Sequence, residues 1–365
     1  MSNRIIIEAL SGSYEAVTGE RILEKELPPL LSRFSSDKLF LLVDEKVWNF
    51  HETRLTSILE PLSAELHIMQ VPSGENSKSI GFWTQAVDFL LSRQVRRNTP
   101  VIVAGGGVAG DAGGFAAAAT LRGVPLIHLP TTLLAMVDSS IGGKTGINHE
   151  AGKNLIGAFY QPAGVIADTA FLSTLPEREW INGLSEILKY GAIRDATIFD
   201  DASFFLDHDF RHQVSPDSLS RLISKCIRVK ADVVKQDEFE SGVRAFLNFG
   251  HTFAHALEKA CSYNTISHGE AVFLGMLAAQ KLSNLEGGNV SGDFIEKFSG
   301  LYQYRVPKEA LSFNEIISYM ESDKKRTDKQ LRFVLLKEWQ HPELKSVLNY
   351  RHIEKSAEAI FEQLA

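Results

Sequence analysis

Cysteine is nearly missing from this sequence: Cys226 and Cys261 are the only two in 365 residues. That excludes a disulfide framework and leaves two reduced thiols in helical stretches. A surplus of positive charge is missing as well. The formal net charge is −7, so the chain as a whole has no electrostatic footing for nucleic acid. No apolar run approaches the roughly 20 residues that cross a bilayer, which argues against a membrane partner. The opening residues, MSNRIIIE, lack the apolar stretch and cleavage site of a secretory signal, so cytoplasmic residence is expected. Internal repeats and low-complexity tracts are absent too. What remains, 44% hydrophobic and 23% charged residues, is the make-up of a globular protein with a sizeable core, long enough for two domains.

The first half alternates two textures. Short apolar runs rich in strand formers occur at Lys38–Asp44 (KLFLLVD), Glu65–Val71 (ELHIMQV), Pro100–Ala104 (PVIVA), Pro125–Leu129 (PLIHL) and Gly164–Ala167 (GVIA). Between them lie amphipathic or Ala-rich stretches such as Ser79–Ser92. Such alternation predicts a parallel sheet flanked by helices. After Pro176 the texture changes. Glu177–Tyr190, Ser218–Gln236, Gly250–Cys261 and Gly269–Glu286 carry helical periodicity, and strand-like runs almost vanish until Leu331–Leu336. The expectation is an α/β domain over residues 1–175 with a Rossmann-like parallel sheet, followed by an all-helical domain over residues 176–365.

The run Val101–Asp111 (VIVAGGGVAGD) contains Gly105-x-Gly107-x-x-Gly110 after a strand and before an Ala/Gly-rich helix, Ala112–Thr120. Glycines let a backbone approach a pyrophosphate, and the helix N-terminus offers free N–H groups to it. A tight turn without a ligand reads the same way, so the motif is suggestive only in context. The ribose-binding acid of the standard pattern belongs about 20 residues downstream, where this chain has Pro130-Thr131-Thr132. Asp44, at the end of an earlier strand, is the better acid. A second cluster, Ser139–Gly146 (SSIGGKTG), is not a triphosphate loop, because Asp138 stands where its first glycine belongs. A lysine among glycines still suits an anionic substrate.

Glu186 and Lys189 lie three apart and share a helix face, and His251 and His255 lie four apart and do the same. His268 stands at a predicted helix start. Two histidines and one carboxylate make a usual catalytic zinc set with a position open for substrate. The candidates are Glu186, His251 and His268, with His255 as a substitute; a single helical histidine is more often structural. Lys144, Lys153, Lys189, Lys230, Arg244, Lys324 and Lys325 fall in or near these segments. Such residues are commonly solvated, but a substrate with a carboxylate and a phosphate needs several cations.

Together these segments resemble the 3-dehydroquinate synthase family from about Asp44 to Phe333. The motifs that carry the resemblance are GGGVAGD at 105–111, LPTTLLA at 129–135, VDSSIGGKTG at 137–146, GKNLIGAF at 152–159, NFGHTF at 248–253 and HGEAV at 268–272. The resemblance implies NAD held by Asp44, by Ser73, Gly74, Glu75, Asn76, Ser77 and Lys78, by Gly107, Val108, Ala109, Gly110 and Asp111, by Thr131 and Thr132, by Lys144 and Lys153, and by Phe171, Leu172, Ser173 and Thr174. It implies a metal, zinc or alternatively cobalt, on Glu186, His251 and His268, and puts His255 on the substrate's phosphate side. Asp138, Lys144, Asn154, Lys189, Lys230, Arg244, Asn248 and Lys325 match the family's substrate pocket. Arg122 matches an arginine supplied by the neighbouring subunit, so a homodimer is implied. The implied reaction is phosphate-eliminating closure of 3-deoxy-D-arabino-heptulosonate 7-phosphate to 3-dehydroquinate, a lyase step of the shikimate pathway to aromatic amino acids. Two departures stand out: Ala254 where relatives often carry glycine, and Asn182 where alanine is common.

The rival readings are a sibling sugar phosphate cyclase, making an amino-dehydroquinate, an inosose or a valiolone, an iron- or zinc-dependent alcohol dehydrogenase, and a non-enzymatic nucleotide-binding regulatory or scaffold protein, which would leave the Glu186, His251 and His268 set idle. Substrates of the inosose and valiolone enzymes lack a carboxylate, so Lys230, Arg244 and Asn248 together favour an acid substrate.

Overall fold

Seven strands form the sheet of the first compact unit, β1 (Asn3–Ala9), β2 (Gly12–Gly19), β3 (Lys38–Asp44), β4 (Glu65–Val71), β5 (Val101–Gly105), β6 (Leu126–Pro130) and β9 (Gly164–Asp168), in the order β1-β2-β9-β6-β5-β3-β4. This computed structural model describes residues 2–261, 265–306, 311–324 and 331–364. The five strands read from the sequence are parallel to one another. Their apolar runs need cover on both faces, which is why the central ones are buried end to end. The hairpin β1–β2, antiparallel within itself and parallel to β9 through β2, extends the sheet.

The flanking helices of this unit are α1 (Leu23–Leu31), α2 (Glu45–Leu59), α3 (Ile80–Ser92) and α4 (Gly107–Ala119). Helix α4 is built from Ala and Gly because it lies tight on the sheet: a Cβ on Gly113 would stand 3.0 Å from both methyls of Val103. With α3 it closes a core that includes Phe40, Leu42, Phe82, Leu90, Val103 and Ala116. The chain runs from β3 through α2 outward to β4, and from β5 through α4 the other way to β6. The reversal lies between β3 and β5, whose last residues are Asp44 and Gly105. Open α/β sheets bind ligands at the carboxyl ends of strands at such a point.

A second hairpin, β7 (Lys144–His149) with β8 (Gly152–Phe159), occupies a stretch whose glycines and lysines suggested loops. Gly146 and Gly157 let its strands approach where a side chain would overlap the partner backbone.

The chain divides between Glu179 and Trp180, inside α5 (Glu177–Ile193), and the first unit also takes Val214–Phe239. The second unit comprises Trp180–Gln213 and Glu240–Ala365. The division differs from the expected 1–175 and 176–365 because of α8 (Pro216–Gln236), which follows the short helices α6 (Thr197–Asp201) and α7 (Phe210–Gln213). One face of α8 buries Leu219, Leu222, Ile223, Ile227 and Val234. Its Ser224 hydroxyl bonds Thr18 Oγ1 of β2 at 2.7 Å, tying the helix to the first unit's sheet.

In the second unit α5 continues and is followed along the chain by α9 (His251–Ala260), α10 (His268–Leu285), α11 (Phe313–Lys324) and α12 (Tyr350–Gln363). Among the described residues its strands are those of one antiparallel hairpin, β10 (Arg332–Leu336) with β11 (Pro342–Ser346), which the all-helical expectation omits. Gly250, before His251, has φ +82, and a Cβ there would sit 2.7 Å from Met276 N. Both facts demand glycine at the start of α9.

Candidate functional site

In the first unit most residues expected to touch NAD gather at the carboxyl edge of β3, β5 and β6. Asp44 caps α2, accepting from Lys46 N at 2.9 Å, and also takes a bond from Ser73 Oγ at 2.8 Å. These bonds use Oδ1 alone. Gly74 has φ +104, which turns the Ser73–Lys78 loop; in it Glu75 accepts from Asn148 at 2.7 Å and Ser77 donates to the Pro72 carbonyl. Lys78 pairs with Asp111 at 2.6 Å on α4. Burial pushes the Asp111 carboxyl up, and Lys78 opposes that without cancelling it.

Gly107, Val108, Ala109 and Gly110 form the first turn of α4, so the helix begins within the glycine motif and not after it. A Cβ on Gly105 would lie 2.6 Å from Ala109 Cβ and 3.3 Å from Asp44 Cβ; one on Gly106 would lie 3.0 Å from Thr132. Thr131 donates its N–H to the Gly105 carbonyl, and its buried hydroxyl has no protein partner among the described residues. A glycine-lined cradle, a helix N-terminus, a carboxylate and an unused buried hydroxyl are the features a dinucleotide requires.

Phe171, Leu172, Ser173 and Thr174 follow β9 in a turn tied to α2. Thr174 Oγ1 meets His51 Nε2 at 2.9 Å, and the Arg54 guanidinium stands 5.2 Å over the Phe171 ring. Sequence reading missed His51 and Arg54, although their place on the helix capped by Asp44 was a usable signal. Lys144 and Lys153 lie on β7 and β8, and Asn154 has φ +57 with its N–H donated to Asn148 Oδ1. Asp138 sits in a π-helical turn, Ala135–Ser139, a form frequent at functional sites. Its carboxylate and carbonyl both accept from Lys230 of α8 at 2.8 Å, so these two expected substrate residues are partners. Arg122 is exposed, with φ +65.

His128 of β6 lies under the same turn, near Gly110. Burial lowers its imidazole to about 4 from an ordinary 6.5. A depressed base stabilises the fold fully above pH 6.5, and that contribution drains as pH falls toward 4. The shift is worth ~3 kcal/mol at most. Urea unfolding of wild type and His128→Gln between pH 7 and pH 4.5 should show the wild type losing more stability; parallel losses would contradict this.

In the second unit Glu186, His251 and His268 come together from α5, α9 and α10, with one ligand atom of each within 4.8 Å of the others. Nε2 of His251 and of His268 lie 3.5 and 3.3 Å from Glu186 Oε1. The outer nitrogens are also oriented. His251 Nδ1 donates to the Phe249 carbonyl at 3.2 Å, and His268 Nδ1 lies 3.6 Å from Glu258 Oε1. With Nδ1 carrying the proton, each Nε2 can present a lone pair, the usual support of a metal-binding histidine. Sequence reading missed Glu258, although seven residues from His251 is two helical turns on one face.

The donor set fits a zinc-type ion: two imidazoles and one carboxylate, with acceptors behind both rings. Lys189 hydrogen-bonds the other Glu186 oxygen, and both are buried. Burial would raise the Glu186 carboxyl, but Lys189 and the two histidines outweigh it and hold it well below its usual range. Burial also resists charge on His268, yet Glu186 and Glu258 push the imidazole up to about 10. A cation bound there would take the place of the Nε2 proton. His255 is 5.6 Å from His251, ring to ring, and has no place in the ligand cluster. Arg244 is buried, and Asn248 donates to Glu240 at 2.9 Å. Lys325 lies outside the described residues.

Two family models match, described as 3-dehydroquinate synthase N-terminal, over residues 68–182, and 3-dehydroquinate synthase C-terminal, over residues 183–326. A 3-dehydroquinate synthase of Vibrio atlanticus is 40% identical over 339 residues, 91% of this chain and 92% of its own. Among solved structures, a 2-epi-5-epi-valiolone synthase from Streptomyces hygroscopicus subsp. jinggangensis, with NAD+ and Zn2+ bound, is similar at TM-score 0.85 and 25% identity, covering 96% of this chain and 97% of its own. A 2-deoxy-scyllo-inosose synthase complexed with carbaglucose-6-phosphate, NAD+ and Co2+ is similar at TM-score 0.84 and 27% identity, covering 99% of each chain.

Proposed function

This chain belongs to the 3-dehydroquinate synthase family, and we infer that it converts 3-deoxy-D-arabino-heptulosonate 7-phosphate to 3-dehydroquinate and phosphate. The observation that carries this reading is the cluster of Glu186, His251 and His268, the first two buried and the third partly so. When bound, NAD supplies an acceptor that takes a hydride and gives it back, and a divalent ion on the cluster polarises substrate hydroxyls.

The chain's own residues bind, orient and move protons. Asp44 grips the ribose, the first turn of α4 takes the pyrophosphate, and Thr131 and Thr132 line the same edge. Glu258 and the Phe249 carbonyl hold the His268 and His251 rings in their working orientation. Lys189 keeps a proton beside Glu186. Arg244 offers a planar fork for the substrate carboxylate, and Lys230 and Asn248 serve the same group. Lys144, Asn154, His255 and Lys325 serve the substrate's phosphate and hydroxyls, and Asp138 fixes Lys230. Holding the substrate's ends makes the closing aldol step intramolecular and well oriented. Arg122 serves the neighbouring subunit of a homodimer. No helix among the described residues is long and apolar enough to cross a membrane, and the enzyme works in the cytoplasm.

Substrate choice tests this reading. Phosphate release should be fast with the heptulosonate phosphate and at background with a sugar phosphate lacking the carboxylate. Release from the 4-amino analogue alone would instead make the chain an amino-dehydroquinate synthase.

A further inference from the structure

Helices α5 and α10 are joined by contacts that ligand binding itself does not use. Gly269, directly after His268, comes so close to α5 that a Cβ there would overlap Asn182. Its N–H donates to Asn182 Oδ1 at 2.5 Å, and its carbonyl accepts from Ser185 Oγ at 2.6 Å. Ser185 directly precedes Glu186. The Ser185 hydroxyl lies 2.8 Å from Tyr302 Oη. A serine has one hydroxyl proton, and a carbonyl can only accept, so the Ser185 proton goes to Gly269 and Tyr302 is the donor to Ser185. Tyr302 is buried, and its ring stacks on Phe273 of α10 with 3.9 Å between centroids. The phenol is thus fixed at both ends.

The Tyr302–Ser185 and Ser185–Gly269 bonds are not needed to start α10. Ser267 and Glu270 form a capping box there, and Asn182 satisfies the Gly269 N–H. What the Tyr302–Ser185–Gly269 chain adds is a cross-link between the residue before one metal ligand and the residue after another. We propose that Tyr302 is a positioning residue for the metal: acting through Ser185 and the Gly269 carbonyl, it fixes the spacing of Glu186 and His268 and so sets the affinity and geometry of the bound ion. This rests on reading Glu186, His251 and His268 as ligands. A metal site tolerates misplacement of only about 0.5 Å, and without the Tyr302 hydroxyl the Ser185–Gly269 bond loses the group that orients it.

The test is Co2+ titration of the full chain, read by binding constant and by the visible absorption of the bound ion, with melting temperature alongside. Tyr302→Phe keeps the stacked ring and removes only the hydroxyl. It should weaken Co2+ about 10-fold or more and alter the absorption bands. Ser185→Ala, which removes both bonds, should lose at least as much, and the double variant should be no worse than Ser185→Ala alone. Should Tyr302→Phe misfold, Ser185→Ala alone decides the matter. Unchanged Co2+ affinity and spectrum with only a lower melting temperature would overturn the proposal, as would additive losses. If the wild type binds no Co2+, the ligand assignment itself fails, and the wild-type titration shows that separately.

Discussion

The His251→Ala variant should keep its fold, lose its metal and lose at least about 10³-fold in kcat/KM, on the order of 4 kcal/mol of transition-state stabilisation. The choice of residue matters. Removing Glu186 would strand Lys189, whose side chain is 2% exposed and hydrogen-bonded to it, and an uncompensated buried charge costs about 3–5 kcal/mol by itself. Removing His268 would take a partner from buried Glu258. His251 leaves behind only the Phe249 carbonyl, while Glu186 keeps Lys189 and His268. Metal content, melting temperature and steady-state rates together read the result. Full metal and full activity in His251→Ala would remove this histidine from the site.

Gly105→Ala should weaken NAD binding about 10- to 100-fold and lower the melting temperature by several degrees. A methyl at 105 meets Ala109 Cβ at 2.6 Å and Asp44 Cβ at 3.3 Å. Both atoms are fixed to backbone, in the first turn of α4 and at the N-cap of α2, so neither yields without moving the cradle. Overpacking of this kind costs about 1–3 kcal/mol, which spans one to two decades of affinity. Gly81→Ala is the matched control, since its Cβ meets only Ser79 Oγ at 3.9 Å; it should bind NAD as the wild type does and melt no lower. Calorimetric titration with NAD measures both, and equal affinity in Gly105→Ala would contradict the cradle.

The sequence disclosed most where one physical signal acted alone. Strands β3 and β4 appear over the residues expected, because continuous apolar runs between turns leave a buried strand little alternative. Spacings of three and four on a helix placed Lys189 beside Glu186 and His255 beside His251, but could not tell a ligand from its neighbour, and His255 lies outside the cluster. The β7–β8 hairpin was not legible: its glycines serve a close backbone approach, which looks like a loop until the partner strand is known. Nor was the attachment of α8, whose buried face is plain in the sequence while its docking partner, a hairpin some 200 residues earlier, is not. Tyr302 and Ser185 gave no signal at all, since a buried hydroxyl pair has no spacing rule.

The reading stands or falls on redox balance. Incubate the enzyme with heptulosonate phosphate, NAD and zinc, and follow phosphate and NADH in one cuvette. A cyclase that borrows and returns its hydride releases phosphate in step with substrate consumed and leaves NADH flat. NADH accumulating in step with substrate, with no phosphate released, would make this chain a dehydrogenase and contradict the account.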